Sequence, residues 1–269
     1  MKKKKENNNH TFVILAYKES TFLEECIKSV INQTVKTNVV IATSTRNSFI
    51  EKLAKKYSLE IIENKGEKGI ANDFNFALTC TKTPLVTIAH QDDIYENTYA
   101  EYVLDSYNKY SDSLIITTDY FEIRSNDKVY NNKNLKIKRF LLSLLKLKFI
   151  SNLKFIKRSA IRFGNSICCP SITYCMNNLT TDKLFISDFT SNMDWLALEK
   201  ISKMKGRFTY IHKFLMGHRV HEDSTTTKII NDGKRSLEDY EMFCKFWPRF
   251  IAKILTKLYK NSEKSNNVE

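Results

Sequence analysis

From residue 11 to residue 124 the chain repeats one rhythm: a short β-rich apolar run, a polar break, then an amphipathic helical stretch. TFVILA (11–16) leads to TFLEECIKSVINQT, and NVVIAT (38–43) leads to NSFIEKLAKKYS. LEII (59–62) leads to IANDFNFALTCT, PLVTIA (84–89) leads to ENTYAEYVLDSYNKY, and SLIITTDYFEIR (113–124) closes the series. Strands alternating with helices at this spacing predict an α/β fold with a mostly parallel, doubly wound sheet. The helices carry their own signals. Leu23, Ile27, Val30 and Ile31 make one apolar stripe, with Glu24 and Glu25 in the first turn and Ser20 or Thr21 ahead of it as a cap. Asn47 or Ser48 opens the second helix, and Ile70, Phe74, Ala77 and Leu78 fall on one side of the third.

Ligands of such sheets bind beyond the carboxyl ends of the strands. Three polar clusters lie at such ends: YKE after the first strand, TSTRN after the second and HQDD after the fourth. The last is the most demanding, because Asp92 and Asp93 are adjacent carboxylates that repel unless something positive lies between or beside them.

Past residue 130 the rhythm breaks. LKIKRFLLSLLKLKFISNLKFIKRSAIRF reads as one or two basic amphipathic helices, with Arg139, Ser143 and Lys146 on one face and Phe140, Leu141, Leu144, Leu145 and Phe149 over much of the rest. Two readings stay open: an insertion (135–163) packed on the domain's flank, or a surface resting on an anionic leaflet. TSNMDWLALEKISKM is a further helix with a polar entry, and residues 231–260 read as a long aromatic helix interrupted near Pro248. The expected division is a disordered basic tail (1–10), a main domain (11–225) and a C-terminal helical extension (226–269).

Charge narrows the classes. The formal net charge is +13, which suits nucleic acid, an anionic membrane face or phosphorylated substrates. No RNP-like aromatic pattern, zinc-finger spacing or heptad run supports nucleic acid, so that partner is not expected. The six cysteines at 26, 80, 168, 169, 175 and 244 fit no zinc template and are expected to be reduced thiols. No apolar stretch approaches the about 18 residues of a spanning helix, and the lysine-rich start lacks the apolar region of a signal peptide. The expected location is the cytoplasm, with a peripheral position at the inner face of the plasma membrane if the basic segment meets a leaflet.

Five pieces in order, VILAYKESTFLEECIKSVINQT, GIANDFNFAL, AHQDDIY, NMDWLALEKI and HRVHEDSTTT, resemble a family 2 glycosyltransferase with the GT-A fold, of the kind that builds bacterial surface polysaccharide. The resemblance spans residues 11–225. It implies inverting transfer of a sugar from a nucleotide-diphosphate donor to a hydroxyl of a glycan or lipid-linked acceptor, with Mn2+ or Mg2+ neutralising the departing pyrophosphate. It assigns Asp93 to the metal, with Asp92 near the donor and also near the metal, and His221 completing the metal shell. Gln91 stands where relatives are commonly acidic. Asp194, at a helix start, is the base that takes the acceptor proton; Met193 replaces the acidic residue often found before it, and Asp188 is the alternative base.

On the donor side the resemblance assigns Ala16, Tyr17 and Glu19 to the nucleoside. Gly69, Asn72 and Asp73 lie near the donor pocket, and His218 and Arg219 on the phosphate side. The second strand departs from the pattern: relatives end it with an aspartate that reads uracil, whereas this chain has Thr43 and Ser44. A hydroxyl can still meet a pyrimidine, so UDP is the first expectation and dTDP the second. Two alternatives remain, a nucleotidyltransferase and a non-catalytic sugar-nucleotide or glycan-binding relative. The first normally needs a glycine-rich loop that LAYKEST lacks, and the second would be favoured by loss of Asp93 or Asp194, both of which are present.

Overall fold

The computed structural model describes residues 6–125, 127–181, 183–186, 188–221 and 234–264. Nine strands form one sheet in the order β3-β2-β1-β4-β8-β6-β9-β5, with β7 (Asp127–Val129) added to β6. The strands are β1 (Glu6–Ala16), β2 (Lys36–Thr43), β3 (Glu60–Glu63), β4 (Leu85–His90), β5 (Ile94–Tyr95), β6 (Ser113–Arg124), β8 (Ile172–Cys175) and β9 (Arg207–Arg219). β1 to β4 run parallel to one another, and β8 threads antiparallel between β4 and β6. β9 runs parallel to β6, so six of the nine strands share one direction.

Helices cover both faces because the strands alternate their side chains. Phe12 and Ile14 of β1 join Leu23, Ile27, Ile50 and Val103 in one core layer. These come from α1 (Leu23–Ile31), α2 (Ser48–Tyr57) and α4 (Tyr99–Lys109). Val13, Val86 and Ile88 face the other layer, with Phe74 and Leu78 of α3 (Ile70–Thr79) and Trp195 of α7 (Met193–Ile201). The Asn47 side chain accepts from Ile50 N–H and caps α2. For α1 the Ser20 hydroxyl instead accepts from Phe22 N–H, ahead of the helix.

Register levels the strand ends. Ala16 pairs with Thr43, and Leu15 with His90, so the loops after β1, β2 and β4 leave the sheet side by side. Gly206, at φ +132°, turns the chain into β9 where an added Cβ would sit 2.6 Å from the Asp112 carbonyl oxygen.

Two expected boundaries move. β1 begins at Glu6, so residues 6–10 belong to the sheet rather than to a tail, and Glu6 pairs with Lys36. Polar side chains hid this extension, because backbone pairing needs no apolar run. His10 is fully buried, with Nε2 2.8 Å from Thr87 Oγ1, and burial holds its pKa down at about 3. The basic segment is three short pieces: α5 (Lys133–Leu141), a 3-10 turn at Ser143–Lys146 and α6 (Lys154–Ser159). Leu135, Leu142, Leu145 and Ile156 are its buried anchors; their spacing would suit one helix face, but the chain breaks after Leu141 and again after Lys146. Arg139, Ser143 and Lys146 therefore do not share one helical face.

The C-terminal part is α8 (Lys234–Cys244) and α9 (Arg249–Lys264), broken at Pro248. Its aromatic side chains close over Trp195, with ring centroids 5.2 Å away at Phe243, 6.4 Å at Phe246 and 5.9 Å at Tyr259.

Candidate active site

The end of β4 and the end of β9 meet through the paired aspartates. Asp93 is buried, and its Oδ1 accepts from Arg219 N–H at 2.9 Å and lies 3.0 Å from His218 Nδ1. Among the described residues its Oδ2 has no hydrogen-bond partner, and His90 Nδ1 lies 3.8 Å away. Burial penalises the Asp93 charge, but His218 by charge and hydrogen bond, His90, and the Arg219 N–H together hold its pKa below the ordinary carboxylate value. Burial likewise opposes the His218 cation, and the Asp93 carboxylate outweighs it, raising the imidazole above its usual value.

Asp92 points elsewhere. Its Oδ1 accepts from Ser20 Oγ at 2.9 Å, and its Oδ2 lies 3.3 Å from His221 Nε2. The two histidines thus divide the pair: His218 serves Asp93, and His221, expected on the metal with Asp93, stands against Asp92. Arg219, expected on the phosphate side, is spent on protein partners. Its guanidinium donates to Glu25 at 2.6 Å and to the Asp92 carbonyl at 3.0 Å, and stacks on Phe22 at 4.4 Å. It fixes the aspartate turn to α1 rather than reaching outward.

Gln91 has a job that its position in a motif did not suggest. Its side chain accepts from Tyr17 N–H at 2.9 Å and donates to Tyr17 C=O at 3.0 Å. This two-bond clamp continues the β1–β4 pairing past the strand ends and presents the half-exposed Tyr17 ring. Ala16 is buried beneath it, Glu19 is exposed, and Lys18, at φ 55°, donates its N–H to Thr45 Oγ1 at 2.6 Å.

The neighbouring loops are knotted by Asp73. One carboxylate oxygen accepts from Ser44 Oγ and the other from Asn64 Nδ2, both at 2.8 Å, tying the end of β2 to the loop after β3. Asp73 is therefore an internal brace rather than an open ligand. Thr43 Oγ1 accepts from Thr45 N–H at 3.1 Å. Gly69, at φ 127°, starts α3 in a conformation that favours glycine. Asn72 lines a cavity of about 320 Å³ with Asn64, Glu67, Asn75 and Lys183.

Asp194 sits in the first turn of α7. Its Oδ1 accepts from Trp195 N–H at 2.7 Å and its Oδ2 from Asn165 Nδ2 at 2.8 Å. Burial raises its pKa above the ordinary carboxylate value, against the Trp195 N–H, Arg235, Lys138 and Asn165, which all favour the charge. Asp188 is exposed in the preceding turn. Asp194 and Asp93 border the same place: besides burial, both raise the thiol pKa values of Cys168 and Cys169. Lys138 of α5 belongs there too, donating to the Tyr120 hydroxyl at 3.0 Å, whose ring centroid is 6.3 Å from that of His218.

The turn that delivers Asp194 is held from α8. Glu238 accepts from Thr190 N–H, Thr190 Oγ1, Ser191 N–H and Asn192 N–H at 2.8–2.9 Å. Asn192 Nδ2 donates to Asp239 at 2.7 Å. No local pattern announces this brace, because its partners lie 46 to 48 residues away.

A family model described as Glycosyl transferase family 2 matches residues 11–171. The chain belongs to that family. Its fold is shared by solved glycosyltransferases of low sequence identity. S. aureus TarS 1–349 matches at 13% identity and a TM-score of 0.60, over 92% of this chain and 69% of that one. A mannosyltransferase of Pyrobaculum calidifontis, solved with GDP-Man and Mn2+, matches at 14% and 0.62, over 94% and 70%. Glucosyl-3-phosphoglycerate synthase of Mycobacterium tuberculosis, solved with UDP, matches at 11% and 0.52, over 88% and 80%. No curated protein sequence matches the chain.

In this glycosyltransferase no group of three or more His, Cys, Asp or Glu among the described residues is arranged to hold a metal ion alone. That fits a hard cation that takes one or two carboxylates and completes its shell with water and phosphate oxygens. Asp93 Oδ2, buried and without a hydrogen-bond partner among the described residues, is the atom that such a cation would satisfy.

Proposed function

We propose that the chain is an inverting, metal-dependent glycosyltransferase that moves a sugar from a nucleotide-diphosphate donor to a hydroxyl of a glycan or lipid-linked acceptor in surface-polysaccharide synthesis. The observation that carries this reading is the different setting of two carboxylates: Asp93 meets a backbone N–H and two imidazoles, whereas Asp194 meets one N–H and one amide at a helix start. Asp93 would hold Mn2+ or Mg2+, with Asp92 beside it, and the ion would supply Lewis-acid neutralisation of the departing diphosphate. Asp194 takes the acceptor hydroxyl's proton, and Asn165 and the Trp195 N–H keep its lone pairs aimed while it does so.

Donor choice follows from the strand ends. Ser44 commits its proton to Asp73, so its oxygen offers only lone pairs, which suit the N3–H of uracil or thymine. The Tyr17 backbone, fixed by Gln91, places the ring that packs on the nucleoside. UDP is favoured over dTDP. The relatives solved with UDP-GlcNAc and with UDP support a uridine donor, and the one solved with GDP-Man and Mn2+ supports a metal.

The test is a screen of nucleotide sugars for hydrolysis and transfer with Mn2+, alongside Asp93→Asn and Asp194→Asn. The first substitution is expected to abolish metal-dependent hydrolysis. The second is expected to keep donor binding and lose transfer. Transfer at the wild-type rate in either variant overturns the role given to that residue.

A further inference from the structure

One surface of the protein carries more exposed apolar side chains than its packing uses. Phe140, Phe149 and Phe155 of the basic segment are 76%, 77% and 64% exposed. Helix α9 repeats the pattern: Phe250, Ile254 and Leu258, spaced by four, are each more than half exposed. The same helix already spends a second apolar side on the protein, where Ala252 is buried and Tyr259 meets Trp195. A helix that packs with one apolar side and turns another outward has more apolar surface than the fold uses. Scattered exposed apolar residues need no explanation, but a stripe does.

The two segments are neighbours. Trp247 Nε1 donates to the Arg162 carbonyl at 2.8 Å, and Arg158 donates to the Lys245 carbonyl at 2.8 Å. The Arg162 guanidinium stacks on Phe155, Phe163 and Trp247. Their charge has one sign. Residues 128–181 contain no Asp or Glu, and neither do residues 242–262. Lys136, Lys146 and Lys154 are exposed on the first segment, and Arg249, Lys253 and Lys257 on the second.

We propose that this face docks on an anionic lipid bilayer, with the phenylalanines and aliphatic side chains entering the headgroup boundary and the lysines and arginines meeting lipid phosphates. Charge selects this occupant. A second copy of the chain would set two acid-free, cationic faces against each other. A nucleic acid would use the cations and aromatic rings but has no place for Ile254 and Leu258. The face also lies close to the chemistry, since α5 turns Phe140 outward and carries Lys138 to the hydroxyl of Tyr120, next to His218. This inference deepens the lipid-linked acceptor proposed above and rests on that reading for its purpose; its test reads binding without turnover, so the two fail separately.

The full chain is sedimented with phosphatidylcholine vesicles and with vesicles containing phosphatidylglycerol, in low and high salt. Binding is expected to the anionic vesicles only and to weaken with salt. The triple variant Phe250→Ser, Ile254→Ser, Leu258→Ser is expected to lower partitioning by about tenfold or more while its far-UV circular dichroism stays that of the wild type. The double variant Phe140→Ser, Phe149→Ser lowers it independently, should the triple variant fail to fold. Wild-type protein left in the supernatant overturns the proposal, as does undiminished binding by the folded variants. A solution dimer that the triple variant converts to monomer would assign the face to a second copy instead.

Discussion

Asp93 and Asp194 are the same side chain in two surroundings, and the surroundings decide what each can do. Asp93 lies where a turn and two strand ends deliver a backbone N–H and two imidazoles to one carboxylate. Asp194 lies at a helix start with one backbone N–H and one amide, and burial prevails over them. The first arrangement makes a lasting anion, the second a proton acceptor. Stability should record the difference. The lowered pKa of Asp93 means that its charge contributes stability above the ordinary aspartate value, lost as pH falls through its folded pKa. The raised pKa of Asp194 means that ionisation costs stability at neutral pH, so removing the charge relieves it.

The strongest way to break the comparison is to neutralise each residue. Asp194→Asn should cut transfer by about a thousandfold, the scale of a lost general base, while raising the melting temperature at pH 7. Asp93→Asn should lower the melting temperature at the same pH. Equal signs in the two melts would show that the surroundings do not differ as argued. Next comes Glu238→Gln, which replaces a carboxylate receiving four hydrogen bonds by an amide that must turn its NH2 toward two of those donors. A loss of about 2 kcal/mol in urea melts is expected, with a fall in kcat for transfer and an unchanged donor Kd.

The pH profile sharpens the contrast by a smaller amount. Transfer kcat/KM should fall as pH drops through the raised pKa of Asp194, above the ordinary carboxylate range. Asn165 donates to the ionised form, so Asn165→Leu should move that acid limb to higher pH by up to about one unit. A limb that stays in place would remove Asn165 from the base's environment. The smallest effect belongs to Gln91→Leu. Losing its two bonds to Tyr17 should cost about 1 kcal/mol, seen as a severalfold higher donor KM with kcat nearly unchanged.

The half of the fold that the chain announces is the half built from local repeats. TFVILA, NVVIAT, LEII and PLVTIA are strands where their β-branched residues and flanking breaks place them, and the helices between them carry their own stripes. β8 is four residues, ITYC, whose β-branched and aromatic side chains suit a strand, but it is too short to show a period and it is inserted between strands from elsewhere in the chain. β9 was hidden for another reason. Its interior alternates irregularly at RFTYIHKFLMGHR because its register with β6 shifts around Asp119. Asp93 and Asp194 stand out by type and order, and the roles proposed for them rest on that, while their supports are not marked in the sequence. Gln91, His218, Asn165 and Glu238 act through partners 29 to 125 residues away, a distance no local pattern encodes.

The clasp from Glu238 onto the turn before Asp194 also imposes an order of assembly. A chain leaving the ribosome has both aspartates of β4's turn early, receives His218 and Arg219 with the end of β9, and receives Glu238 last. The turn before Asp194 can settle only when α8 arrives to receive its four donors. A chain cut between β9 and α8 would therefore keep the surroundings of Asp93 and lose those of Asp194, separating the two roles proposed for them.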